Sequence, residues 1–160
     1  MLNAYEIKTD IIFEPKAEAV PYNYRISYKV SLLCLIMSKS CGRKGCSTIK
    51  MQIISHASAS QRAQKELLSL LNYSEGVCII RFDPSINRAI HFALVSQVMY
   101  RQGNGLYKLT EKGKLLVKKI DADESLLSNE KEFLTLLSTR LTEEIIERWG
   151  KEWGAKDVKN

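Results

Sequence analysis

The 160-residue sequence holds only two histidines, His56 and His91, and four cysteines, Cys34, Cys41, Cys46 and Cys78. A structural zinc site usually draws two ligands from each of two short-spaced knuckles. Here Cys41 and Cys46 make one loose pair with four residues between them, and Cys34 falls inside an apolar helical run. The cysteines therefore read as ordinary buried or loop thiols, and no metal or other cofactor is expected. His56 lies on an apolar helix, where a partly buried structural role outweighs that of a base. His91 falls one turn beyond Asn87 and Arg88 on a polar face and reads as solvated.

Other absences narrow the function further. There is no glycine-rich phosphate loop, no paired metal-ligand motif and no nucleophile elbow. Gly103-Asn104-Gly105 is too compact to cradle a phosphate and reads as a turn. An enzyme is not expected. The most apolar segment, residues 30–37, falls well short of the roughly 20 residues a membrane span requires. Residues 1–21 carry acids and no apolar run of the kind a targeting signal shows. A cytoplasmic location follows as the expectation, with reduced thiols and no membrane.

What is present suits one globular domain. Hydrophobic residues make up 45% and charged residues 26%, close to the averages for soluble domains and enough to build a core without staples. The net charge of +6 is unevenly placed. Residues 1–120 hold 18 Lys and Arg against 8 Asp and Glu, whereas residues 121–147 hold 8 acids against 2 bases. The last 13 residues return a surplus of two bases. A basic body with an acidic helical appendage can approach nucleic acid on one side or dock on an acidic protein. Solvated faces of ordinary helices would carry the same charges.

Four regions follow from the patterning. Residues 1–21 lack helical periodicity and read as an extended arm, with Ile11, Ile12 and Phe13 as its apolar anchor. Residues 22–120 form the core. Ile26, Val30, Leu33, Ile36 and Met37 recur at helical spacing over 22–39, and the glycines of Cys41-Gly42-Arg43-Lys44-Gly45-Cys46 break that helix. Ser47 caps a second helix with a stripe of Ile49, Ile53, Ile54 and Ala57. Ser60 caps a third, reaching about Asn72 with Ala63, Leu67, Leu68, Leu70 and Leu71 inward. The β-rich run 77–82 reads as a strand. Asp83 then caps a helix with Pro84 in its first position, and Ile86, Ile90, Ala93, Leu94 and Val98 face inward up to about Met99. A hairpin over 100–109 turns on Gly103-Asn104-Gly105, where the Asn-Gly step supplies positive φ values. Thr110 caps a helix over 111–120 with Leu115, Leu116 and Ile120 inward.

Residues 121–153 add two helices. One spans about 123–138 with Leu126, Leu127, Phe133, Leu134 and Leu137, and the other is capped by Thr142 and runs to about Trp153. Residues 154–160 form a polar, frayed tail.

Helices, a short strand, a helix, a glycine-tipped hairpin and a closing helix give the order of a winged helix-turn-helix. The fold class expected is mainly α with a small β-sheet, a winged helix-turn-helix with additional C-terminal helices. The strand at 77–82 would pair with the hairpin. Its most specific local piece is Tyr-Lys-Leu-Thr-Glu-Lys-Gly at 107–113, an alternating strand stopped by a threonine cap, with Gly113 allowing a close approach. Fold of this kind says little about function by itself.

Three pieces in this order carry a resemblance: Cys41-Gly42-Arg43 with the helix after it, Ile-Arg-Phe-Asp-Pro-Ser-Ile-Asn-Arg-Ala at 80–89, and the segment 107–113. Together they are similar to the middle component of three-component ABC systems, the small winged-helix partner found with Lamassu-type bacterial defence proteins. The similarity spans about residues 22–150. It implies a non-catalytic subunit that accompanies an SMC- or Rad50-like coiled-coil ATPase and an effector nuclease in antiviral (anti-phage or anti-plasmid) defence.

The helix before the wing would read bases in a DNA-binding member of the fold. Its outward side offers Asn87, Arg88 and His91, but then Phe92, Val95 and Gln97, so one arginine must serve for readout. Phosphate contact is better furnished, by Arg101 and Lys108 on the hairpin and Lys112 and Lys114 after it, with Arg43 and Lys44 as neighbours if the loop folds nearby. Such contact to double-stranded DNA is sequence-independent and salt-sensitive. For protein partners the candidates are Phe92 and Val95, and Trp149 with Trp153, which share one helix face at a four-residue step. Packing onto the chain's own core is the more common fate of such tryptophans. The expectation is an adapter subunit, with nonspecific DNA contact as a secondary role. The alternative is a stand-alone winged-helix DNA-binding regulator.

Overall fold

The computed structural model describes residue 21 and residues 24–73 and 81–157. Among the described residues the chain is mainly helical, with seven helices and one small antiparallel hairpin. The expected arm at 1–21 lies almost wholly outside them, and so does most of the strand expected at 77–82. Arg81 and Phe82, its last two residues, are irregular and exposed.

Helix α1 (Ile26–Lys39) is the centre of the molecule. Its six consecutive residues from Leu32 to Met37 are all buried, which a helix manages only when neighbours cover every side. Those neighbours are α2 (Thr48–Ser58), α4 (Pro84–Val95), α5 (Glu111–Ala122) and α6 (Ser128–Leu137). Helix α3 (Gln61–Tyr73) packs on α2, and α7 (Glu143–Asp157) meets α2 where Glu143 Oε1 accepts from the amide of Ser47, the residue that caps α2.

The helix starts follow local chemistry. The Ser47 hydroxyl accepts from the Lys50 amide at 3.1 Å, that of Ser60 from Ala63 at 3.2 Å, and that of Thr110 from Gly113 at 3.1 Å. Each satisfies a donor that the first turn would otherwise leave unpaired. Asp83 does more than cap α4. Its Oδ1 accepts from the Ser85 amide and its Oδ2 pairs with the Lys29 ammonium of α1, both at 2.8 Å. Its backbone exchanges two hydrogen bonds with the buried Gln52 side chain of α2. One residue thus fixes α4 against both α1 and α2. Burial opposes the charge on Asp83, but Lys29 and Ser85 outweigh it and hold the carboxyl at about 2.

The helix expected to reach Met99 stops at Val95. The Gln97 amide donates to Leu94 O and the Val98 amide to Ala93 O, with Gln97 at φ 60°. This is a Schellman ending with glutamine in the left-handed position that usually falls to glycine. The chain turns directly into β1 (Met99–Arg101), which pairs with β2 (Tyr107–Leu109) so that Met99 faces Leu109 and Arg101 faces Tyr107. Of the turn residues expected to hold positive φ, Gly105 does so at 84° and Asn104 does not. Asn104 instead accepts from the Leu106 amide through its side chain.

The strand partner found for the hairpin is Cys46, which exchanges two backbone hydrogen bonds of 2.9 Å with Tyr107. Gly45 makes that approach feasible. It sits at φ 110°, and a Cβ there would lie 2.5 Å from Gln102 Nε2 and 2.8 Å from Tyr107 O.

Helix α6 begins later than expected, at Ser128. Asp123 Oδ1 captures the amide and hydroxyl of Ser125, Lys131 Nζ binds the carbonyls of Ile120 and Asp123, and Leu127 takes φ 54°. These local bonds compete with the helical ladder and leave Leu126 exposed.

Candidate functional site

Helix α4 turns Ile86, Ala89, Ile90 and Ala93 into the core. Its opposite side carries Asn87, Arg88, His91, Phe92 and Val95, all exposed. Phe92 is 48% and Val95 70% exposed. The stripe therefore changes character along its length, polar toward the N-terminus and apolar where the helix meets the hairpin. Large apolar side chains left in water on a helix lose the stabilisation burial would bring, about 1.5–3 kcal/mol for a full side chain.

The basic candidates divide into groups. Arg43, Lys108 and Lys114 line one open cavity of about 590 Å³ between the 41–45 loop, the hairpin and α5, together with Cys41, Tyr100 and Tyr107. Arg101 and Lys112 line a second depression that shares Tyr100. Arg88 stands on α4 outside both. Lys44 contributes a backbone carbonyl, which accepts from Gln102 Nε2 at 2.9 Å and ties the loop to the hairpin. Lys112 Nζ donates to Ser96 O at 2.8 Å, closing the C-terminus of α4 where a cation is favoured. Lys114 pairs with Glu111 at 2.6 Å, which lowers the Glu111 pKa and raises that of Lys114. Arg43 and Lys108 form no ion pair with an acid among the described residues.

Several expectations are corrected. Trp149 is only 9% exposed and belongs to the core, so it is withdrawn as a partner anchor; the Trp153 side chain lies outside the described residues. Leu115 was expected inward but is 57% exposed. The buried face of α5 runs through Gly113, Val117 and Ile120, and Leu115 points away from it. Ile49 is likewise exposed, while its neighbours Met51 and Gln52 are buried. His56 is exposed instead of partly buried, and His91 is exposed as expected. Tyr100 and Tyr107, which sequence reasoning passed over, sit at the centre of the basic region.

The thiols occupy distinct settings. Burial pushes Cys34 up to about 11. Cys46 is fully buried, and the adjoining Cys41 side chain, then burial, drive its pKa far upward. Cys78 lies outside the described residues. Among the described residues no three His, Cys, Asp or Glu side chains converge to hold a metal ion. No described helix is long and apolar enough to cross a membrane.

Comparison of the chain with protein-family models, with curated proteins and with solved structures finds no match.

Proposed function

We propose that the chain is a winged-helix adapter: a non-catalytic subunit that docks on protein partners through the apolar end of α4 and the adjoining hairpin. The observation that carries this reading is the exposure of Phe92 and Val95 where a base-reading helix would present polar groups. The winged-helix reading itself is supported by the order α4, β1, β2, α5 and by Cys46 adding a third strand position beside Tyr107. The partners proposed, an SMC-like coiled-coil ATPase and an effector nuclease of a bacterial defence complex, come from the resemblance carried by residues 41–43, 80–89 and 107–113. Arg43, Lys108 and Lys114 would give the assembled complex a sequence-independent hold on duplex DNA. The test is retention on the immobilised ATPase: wild type is held, and a Phe92→Asp/Val95→Asp variant that stays folded is released. Equal retention of both would remove α4 from the interface.

A second reading, a stand-alone regulator, is favoured by Asn87, Arg88 and His91, which are exposed together on the N-terminal half of the same face. It requires specific binding to one palindromic site that persists at about 200 mM salt, where backbone contacts alone have weakened strongly.

A further inference from the structure

Cys41 and Cys46 bracket the loop that joins α1 to α2, and they differ sharply in access. Cys41 is half-buried and lines the open cavity shared with Arg43, Lys108 and Lys114. Cys46, 0% exposed, flanks with Cys41 the turn that the Gly45 amide closes onto the Gly42 carbonyl at 3.2 Å, and its side chain is hydrogen-bonded to that of Cys41. Around Cys46 stand Lys50 of α2 and Glu143 of α7, and its thiol donates weakly to Ser47 O at 3.7 Å. Cys34 is sealed inside the α1 core and has no part in this arrangement. One thiol open to small solutes, backed by a second in contact with it, is the layout of a peroxidatic and resolving pair.

We propose that Cys41 and Cys46 form an oxidation site at which a hydroperoxide converts the two thiols to an intraloop disulfide. The Cys41 sulfur attacks one peroxide oxygen, the O–O bond breaks, and Cys41 becomes a sulfenic acid as its thiol proton joins the departing oxygen, which leaves as the first water (or alcohol). The Cys46 sulfur then displaces the hydroxyl from the Cys41 sulfur, and its proton leaves with that hydroxyl as the second water. The thiols lose two electrons and the peroxide gains them. The cations of the cavity stabilise the negative charge that passes to the departing oxygen.

The disulfide would close a six-residue loop that carries Arg43 and Lys44. Cys46 is bonded through its backbone to Tyr107, so oxidation would fix Arg43 relative to β2 and reshape the cation cluster reversibly. No part of this depends on the adapter reading.

The full reduced chain is treated with one equivalent of hydrogen peroxide, blocked with N-ethylmaleimide in denaturant and digested with trypsin. Cleavage after Lys39, Arg43, Lys44 and Lys50 puts the two cysteines on separate peptides, 40–43 and 45–50. The expected result is those peptides joined by a disulfide that dithiothreitol splits, with Cys34 and Cys78 carrying the maleimide. Maleimide on both Cys41 and Cys46, or a sulfinate on Cys41 beside a labelled Cys46, would overturn the proposal. In Cys46→Ser the Cys41 sulfenic acid should persist and be trapped by dimedone several-fold more than in wild type; equal trapping would deny Cys46 its resolving role. The wild-type peptide map decides the matter if that variant does not fold.

Discussion

Gly113, in the first turn of α5, lies so close to the Val98 carbonyl that a Cβ there would sit 2.0 Å from the oxygen. The contact holds α5 against the end of the α4–β1 connection, and it explains a glycine where helix propensity alone would favour alanine. Gly113→Ala should destabilise by about 2–3 kcal/mol, since backbone has to move to relieve the clash. Calorimetry should record a fall in Tm of roughly 5–10 °C. Gly150 in α7 is the internal control, because a Cβ there meets nothing within 4 Å. Gly150→Ala should stabilise by about 0.5–1 kcal/mol. A shift of the same sign in both variants would contradict the packing described.

Gln97 takes φ 60° at the end of α4, in a conformation that costs an ordinary residue about 1 kcal/mol. Gln97→Gly should raise stability by about 0.5 kcal/mol after the added freedom of the unfolded chain is set against it. Its backbone carbonyl, which accepts from the Thr110 hydroxyl at 2.6 Å, is retained in the variant. A lower Tm in the variant would argue against the Schellman ending.

Asp83 links acidity to stability. Its folded carboxyl sits at about 2, below its ordinary value of 3.8. A depressed folded pKa means the unfolded chain takes up the proton first as pH falls. The contribution is therefore complete above about pH 4 and disappears as pH drops toward 2. Because the carboxyl is 42% exposed, the ion pair with Lys29 should supply below about 1 kcal/mol. Asp83→Asn, which keeps the cap, should be less stable than wild type at neutral pH and equal to it near pH 2. Asp83→Ala should lose about 1–2 kcal/mol more through the missing cap. Urea titrations at several pH values measure both.

The basic region predicts a graded effect on duplex DNA. Arg43→Glu and Lys108→Glu, at the cavity rim, should each weaken binding at low salt and reduce the salt slope by about 1. Lys112→Glu should instead cost stability, because Lys112 caps α4 through Ser96 O. Fluorescence anisotropy across a salt series, beside a thermal melt, separates the two effects. No change in affinity for Arg43→Glu and Lys108→Glu would remove the cavity from any DNA surface.

The helix starts at Ser47, Ser60, Asp83, Thr110 and Thr142 were legible in the sequence because a cap is a local exchange between a side chain and an amide a few residues on. The hairpin was legible through its glycines. The end of α4 was not, since Gln97 carries no signal for a left-handed conformation, and the delayed start of α6 rests on a Leu127 equally silent. The pairing of Cys46 with Tyr107 is a single contact between residues far apart in the chain, and no periodicity records it. Phe92 and Val95 were legible as an outward pair from helical spacing alone. The same spacing misassigned Leu115, because only the neighbours of α5 decide which part of its apolar arc is covered. The thiol pair at Cys41 and Cys46 was visible as a spacing, but which of the two faces solvent depends on the folded loop.

The adapter reading is tested most directly by co-expressing the full chain with a coiled-coil ATPase encoded beside its gene and passing the mixture over size exclusion at increasing salt. The reading predicts one stoichiometric complex that survives salt and is lost with Phe92→Asp/Val95→Asp. Elution of the chain by itself at every salt concentration would contradict it.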